Sequence, residues 1–409
     1  MVTQRRRSPT LVNPDEPELR VPVEDLPLAP PKLGLILGIS VGFFVPFFYL
    51  VFFHYRIEEE LRWSIAICFA MSFAGFFLSL KMIPVAARYL LRRNLFGYDI
   101  NKNGTPQGMI RVPESLGIVI SIVYILIAIL FQHFNFTADS NWLVEYNAAL
   151  LCICFMTLLG FLDDVLDVPW RMKLVLPSFA ALPLLMAYAG HTSIIIPKPL
   201  IQYVGVAVLD LGWIYKFYMG IVTVFCTNSI NIHAGINGLE VGQTVVIAAA
   251  ILIHNVMQIG ASSDPEYKQA HAFSIYLVLP LLTTSLALFS YNWYPSSVFV
   301  GDSYTYFAGM AMAVVGILGH FRRVSQSGPS LRRISPTEGG SALAECYKGE
   351  IVGRERQARA ARKHSRPNQA PISKSSRLSQ ARTFAPCPGP KGLGTSSRRV
   401  GPRAFGRMS

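Results

Sequence analysis

Charge is scarce along most of this chain. Asp, Glu, Lys and Arg make up 15% of its 409 residues while 52% are hydrophobic, a balance too apolar for an ordinary soluble domain. Cysteine is scarce as well. Four of the six (Cys68, Cys152, Cys154, Cys226) sit inside apolar runs, and Cys346 and Cys387 stand apart without metal-ligand spacing, which predicts neither a disulfide nor a zinc site. Walker loops, kinase signatures, His-rich zinc motifs and internal repeats are missing. The net charge of +13 suggests a nucleic-acid partner, but its placement argues otherwise: from Arg322 onward 19 Lys and Arg accompany 4 Asp and Glu, and the preceding 321 residues hold 18 against 20. The basicity belongs to the tail, so no nucleic acid is expected on the body.

What is present is a series of long apolar runs. They predict spans near 33–53, 63–83, 116–134, 147–162, 174–190, 213–231, 243–259, 273–290 and 304–320, most of them close to the roughly 20 residues that cross about 30 Å of hydrocarbon. The expected fold is an all-α polytopic membrane protein of about nine transmembrane helices. A proline-rich leader (1–32) precedes the membrane domain (33–321), and a basic low-complexity tail (322–409) reads as disordered or as translated noncoding sequence. The first run reads as an anchor rather than a cleaved signal, lacking a small-residue cleavage site after it. Lys81 at the end of the second run and Arg88, Arg92, Arg93, Lys102 and Arg111 between it and the third form one basic stretch, Arg171 and Lys173 follow the fourth, and 135–146 has no Lys or Arg. The positive-inside rule therefore puts both basic loops in the cytosol, together with the leader and the loops near 232–242 and 291–303. The tail falls on the far side, against its own basicity.

Nearly all the polar residues of the apolar body collect in these four cytosolic loops. The first holds Tyr98, Asp99, Ile100 and Lys102, then Pro113 and Glu114; Glu114 alone would read as a favourable charge at a helix start. In the second, Asp163 and Asp164 stand at a helix C-terminus, where they oppose the macrodipole and repel one another unless a divalent metal or Lys173 supplies positive charge. An exposed interfacial cap is the plainer alternative. The third runs from Cys226 to Glu240. Asn228 and Asn231 share a helix face there, and Gly235 and Gly238, on either side of Asn237, permit a tight backbone and close ligand approach. Amide oxygens suit Mg²⁺, amide groups suit the edge of a base, and Asn pairs also join membrane helices. His233 carries no assignment. In the fourth, Trp293 and Tyr294 read as interfacial anchors, Phe299 suits a base or the headgroup level, and Asp302 follows Gly301 at a helix start. Acidic groups, an Asn and a Lys on one membrane face suggest Mg²⁺ holding a diphosphate.

The stretches GFLDDVLDVPWRMK, CTNSINIHAGINGLE and NWYPSSVFVGD, with PKPL at 197–200 and AVVGILGHF at 313–321, resemble the eukaryotic UDP-N-acetylglucosamine:dolichyl-phosphate N-acetylglucosaminephosphotransferases. These belong to the polyprenyl-phosphate glycosyl-1-phosphate transferase superfamily, glycosyltransferase family 4, and the resemblance covers about 61–321. It implies transfer of N-acetylglucosamine 1-phosphate from UDP-N-acetylglucosamine to dolichyl phosphate, releasing UMP, at the endoplasmic reticulum membrane with the site facing the cytosol. By that resemblance Asn231 and Asp302 would hold Mg²⁺, and Lys173 and the segment 224–232 with Asn228 would meet the lipid phosphate. Tyr98, Asp99, Ile100, Glu114, Gly235 and Asn237 would face uridine, with Phe299 on uracil. Asp163 would orient or deprotonate the acceptor, supported by Asp164. Expected partners are the two substrates and the lipid bilayer; a homodimer stays open. The family has Asn where this chain has Asp167. After residue 321 it continues with two more spans and a loop of His and Arg that grips the sugar, and this chain has the basic tail there. The competing readings are a truncated noncatalytic form of the enzyme, which would bind uridine nucleotide weakly without turnover, and a transporter.

Overall fold

The structure, a computed structural model, describes residues 29–320 except 100, 101, 103–107, 109, 137–140, 189, 191, 197, 198, 200, 202, 204 and 207. Most of the PKPL stretch, and the leader before 29 and the tail, lie outside the described residues. The described chain is helical nearly throughout. α1 (Leu33–Tyr49) ends in a π turn, Leu50–His54; α2 is Glu59–Arg92, α3 Gly117–Asn135 and α4 Asn141–Leu166. α5 (Trp170–Ala180) and α6 (Leu182–Ala187) form one rod broken at Ala181. α7 is Trp213–Ile232, α8 Leu239–Ala261, α9 Pro265–Asn292 and α10 Gly301–Val315, which runs into a π turn, Gly316–His320. A helix satisfies its own backbone, which is why apolar runs take this form in lipid.

Among the described residues seven segments are long and apolar enough to cross a membrane: Leu33–His54, α2, α3, Trp142–Leu166, Trp170–Ala187, α8 and α9. The expected spans of α7 and α10 are helices but fall short on apolarity, because they carry Thr223, Thr227, Asn228 and Asn231, and Gly301, Asp302 and Ser303. α10 is screened by protein instead, whereas α7 buries one face (Met219, Thr223, Thr227 and Asn231) and leaves the other exposed. α10 is buried from Gly301 to Val315 except at Met312, packed by α4, α7 and α3. α9 is buried from Ala270 through Asn292 against α8, α2 and α3. Around these two central helices the outer ones show apolar residues such as Leu37, Trp63, Phe77 and Phe217 to the surroundings.

Several helices outrun the expected spans, for physical reasons. At 34 residues, α2 is about 51 Å long at 1.5 Å per residue, so its basic last turns clear the roughly 30 Å hydrocarbon layer. α4, expected to stop at 162, continues to Leu166 because partners from other elements neutralise its acidic pair. α9 starts eight residues early, where Pro265 takes the first helical position and the Asp264 carboxylate accepts from the Glu266 amide at 3.0 Å. Two small antiparallel ribbons interrupt the helical pattern. β1 (Phe96–Gly97) pairs with β2 (Val112–Pro113) near the acidic loops, and β3 (Ser193–Ile195) pairs with β4 (Val208–Asp210).

Candidate active site

The four polar loops meet at one end of the bundle, cross-linked by their own side chains. The Lys173 ammonium, in the first turn of α5, stands 2.7 Å from Asp163 Oδ2 and 3.2 Å from Asp302 Oδ2. It joins the second loop to the fourth. Tyr306, one turn beyond Asp302 on α10, donates its hydroxyl to Asp163 Oδ2 at 3.2 Å, and the Val168 amide donates to Asp163 Oδ1 at 3.0 Å. A carboxylate at a helix C-terminus is tolerable here because a cation and two donors offset the adverse dipole.

Asp164 has a different task. Its Oδ1 accepts from the Asp302 amide at 2.6 Å and its Oδ2 from the Ser303 amide at 3.1 Å, so it caps the start of α10 from the neighbouring helix α4. That approach needs small neighbours. Gly301 has φ +73°, and a Cβ there would lie 2.5 Å from Asp164 Oδ2; a Cβ on Gly160, one turn before Asp164, would lie 2.6 Å from the Asp302 carbonyl. The acidic pair is thus divided: Asp163 faces Lys173, and Asp164 fixes the helix that carries Asp302.

The first and third loops close the other side. Asn237 Nδ2 donates to the buried Asp99 Oδ2 at 2.8 Å, and Lys102 pairs with the same oxygen at 3.1 Å. A Cβ on Gly97 would be 3.2 Å from the Phe299 ring and 3.4 Å from Glu114 Oε2, which puts Gly97, Glu114 and Phe299 together. The Phe299 amide donates to the Pro113 carbonyl at 2.8 Å, and the Leu116 and Gly117 amides donate to Phe299 and Val300. The chain before Asp302 is therefore zipped onto the chain after β2. Glu240 Oε1 accepts from the Gly235 amide at 2.9 Å, shaping the 235–238 turn, where Gly235 and Gly238 have positive φ.

Asn231 is buried in the last turn of α7, and its amide nitrogen has no hydrogen-bond partner among the described residues. α7 and α10 touch where a Gly309 Cβ would lie 2.5 Å from Thr227 Cα. From that crossing Asn231 lies one turn, and Asp302 two turns, toward the same end. Asn228 donates to the Val224 carbonyl of its own helix at 2.9 Å.

Of the residues singled out from sequence, Asp163, Asp164, Lys173, Asp302 and Asn231 come together on α4, α5, α7 and α10, and Asp99, Glu114, Gly235, Asn237 and Phe299 on the adjoining loops. Tyr98 lies beside Phe96, ring centroids 5.7 Å apart. Ile100 is outside the described residues. The sequence reading missed Tyr306, whose spacing of four from Asp302 was a legible signal. It also missed Asn292, which accepts from the Gly238 amide and donates to the Val298 carbonyl. Asp167, at the family's Asn position, is exposed with φ +55°.

Among the described residues no three His, Cys, Asp or Glu side chains form a metal cage. Two carboxylate oxygens already converge on one cationic centre, that of Lys173, and the buried Asn231 amide stands on α7 one turn from its crossing with α10. Mg²⁺ needs only one or two protein carboxylates when phosphate and water fill its other positions, so this donor set fits it.

The sequence pattern of glycosyl transferase family 4 matches residues 146–320, from within α4 to the end of the described chain. Over 288 residues the chain is 50% identical to the UDP-N-acetylglucosamine--dolichyl-phosphate N-acetylglucosaminephosphotransferase of Dictyostelium discoideum, covering 66% of this chain and 70% of that protein. The chain belongs to this family. Proteins of the same name from Schizosaccharomyces pombe and Saccharomyces cerevisiae are 39% and 38% identical, over 59% and 61% of both partners. The chain thus spans about three fifths of the two yeast relatives. The matched family segment carries Asp163, Asp164, Lys173, Asn231 and Asp302, and the first-loop residues precede it.

Proposed function

We propose that this protein transfers N-acetylglucosamine 1-phosphate from UDP-N-acetylglucosamine to dolichyl phosphate, the first step of N-glycan precursor synthesis. The observation that carries the reading is the single cluster of Asp163, Lys173 and Asp302, drawn from loops far apart in sequence and set in the family's own motifs. An oxygen of dolichyl phosphate attacks the β-phosphorus of the nucleotide sugar. The bond from that phosphorus to the α–β bridging oxygen breaks, and UMP departs with the oxygen. Mg²⁺, held by Asp302 and Asn231, would neutralise diphosphate charge as it shifts toward the leaving group.

The chain's own residues account for the rest. Lys173 offers its ammonium to the acceptor phosphate, which lowers the repulsion between two anions. Asp163 orients Lys173 with Tyr306. A phosphate monoester is largely ionised at neutral pH, so Asp163 need not take a proton. Asp164 acts through α10 by fixing Asp302, and Asn228 lines the acceptor side. Asp99, Glu114, Gly235 and Asn237 face uridine, and Phe299, held over Gly97, stacks on uracil. The basic loops support a site on the cytosolic face of the membrane, and the reaction proposed places that membrane in the endoplasmic reticulum.

The test is the formation of lipid-linked N-acetylglucosamine from sugar-labelled UDP-N-acetylglucosamine in membranes supplied with dolichyl phosphate. Transfer is expected in the wild type and lost on chelation of divalent metal. A wild type that binds the nucleotide sugar but forms no lipid product would instead support the noncatalytic reading.

A further inference from the structure

α1 lies outside the segment that matches the family, which starts within α4, and much of it faces outward, with Leu37, Val41, Val45 and Phe53 exposed. Its first end is different. The Lys32 amide donates to the Ser290 carbonyl at 2.9 Å. The Lys32 ammonium donates to the carbonyls of Trp293 at 3.0 Å and Pro295 at 3.5 Å, and to that of Tyr294 between them. These carbonyls directly follow α9, so the cation sits at the negative end of the helix macrodipole. A lysine at a membrane edge ordinarily extends its head into water or headgroups; this one spends its donors on three consecutive carbonyls. Burial first, and then the nearby Lys102 ammonium, push the Lys32 pKa below its ordinary value.

The gripped turn also belongs to the site. Lys102, the partner of Asp99, lies 5.9 Å over the Tyr294 ring. Asn292, at the start of the turn, holds the Gly238 amide and the Val298 carbonyl, which immediately precedes Phe299. One short segment therefore connects the N-terminal helix to the groups that would face the nucleoside. We propose that Lys32 is a positioning residue: by clamping Trp293–Pro295 it sets Phe299 and the Asp99–Asn237 pair, and so the affinity for the uridine half of the nucleotide sugar. The proposal rests on the site reading above.

The test compares the full chain in lipid nanodiscs as wild type, Lys32→Met and Lys32→Arg. Lys32→Met keeps most of the stem and loses the donor; Lys32→Arg keeps the charge. Two quantities are read: amide hydrogen exchange over 293–300, and the Kd for UDP-N-acetylglucosamine. Lys32→Met is expected to speed exchange in that segment, leave exchange over 252–275 unchanged, and raise the Kd about five- to tenfold, the scale of a partly buried cation at a helix C-terminus. Lys32→Arg should restore both. Unchanged exchange over 293–300 in Lys32→Met would overturn the clamp, whatever the nucleotide does. Faster exchange with an unchanged Kd would overturn the positioning role. A wild type without affinity for the nucleotide sugar would overturn the site reading itself, and the proposal with it.

Discussion

The two ends of the helical bundle use polar residues in different ways. At the loop end, contacts cross long stretches of sequence: Lys173 joins Asp163 to Asp302, Asn237 reaches Asp99, and Asp164 caps α10. At the opposite end they are mostly local. Asn255 donates to Ser274 at 2.7 Å and meets His271 at 2.8 Å across the short α8–α9 connection, and Tyr267 donates to Gln258. The longer reach from Lys268 to Glu58 is an exposed pair worth little in stability. One end ties neighbouring helices together. The other holds carboxylates, an ammonium and a buried, unpartnered amide nitrogen in one place, which costs stability unless a ligand uses them.

That contrast can be broken by substitution, and the expected effects descend in size. Asp302→Ala should cost the most, about 1,000-fold or more in lipid product, since it removes both the proposed metal ligand and a Lys173 partner; near-normal metal-dependent transfer in that variant would discard the assignment. Asp164→Ala should lower transfer about 100-fold through displacement of Asp302, with a smaller change in nucleotide affinity. Equal losses of Kd and kcat would instead mark Asp164 as a direct ligand. Phe299→Ala should weaken UDP-N-acetylglucosamine binding about tenfold, the scale of a lost aromatic contact, as read by titration calorimetry. At the far end, Asn255→Ala should reduce thermal stability by about 1–3 kcal/mol and leave nucleotide affinity unaltered. A change in Kd there would show that the two ends are coupled.

How much of this was legible in the sequence differs between the same two ends. The helices were, because an apolar run in lipid has few alternatives to a helix; of the misplaced boundaries, the end of α4 fell where Asp163 and Asp164 are neutralised by distant partners, and the start of α9 where a local cap extends it. The members of the site were legible in part. Motif spacing drew attention to Asp302 and Asn231, yet nothing in the linear order separates the duty of Asp163 from that of Asp164. That division depends on α10 lying one hydrogen bond from α4, which Gly160 and Gly301 permit. Lys32 was not legible at all, since a lysine before an apolar run looks like any interfacial lysine until the carbonyls it grips are seen.

The central claim is that the loop end moves a phosphosugar rather than a sugar, and the fate of the β-phosphorus decides it. Purified chain in nanodiscs with dolichyl phosphate and Mg²⁺ should be given UDP-N-acetylglucosamine labelled at that phosphorus. The account predicts label in the lipid fraction and unlabelled UMP in the aqueous one. Label retained in aqueous UDP while the sugar enters lipid would contradict it.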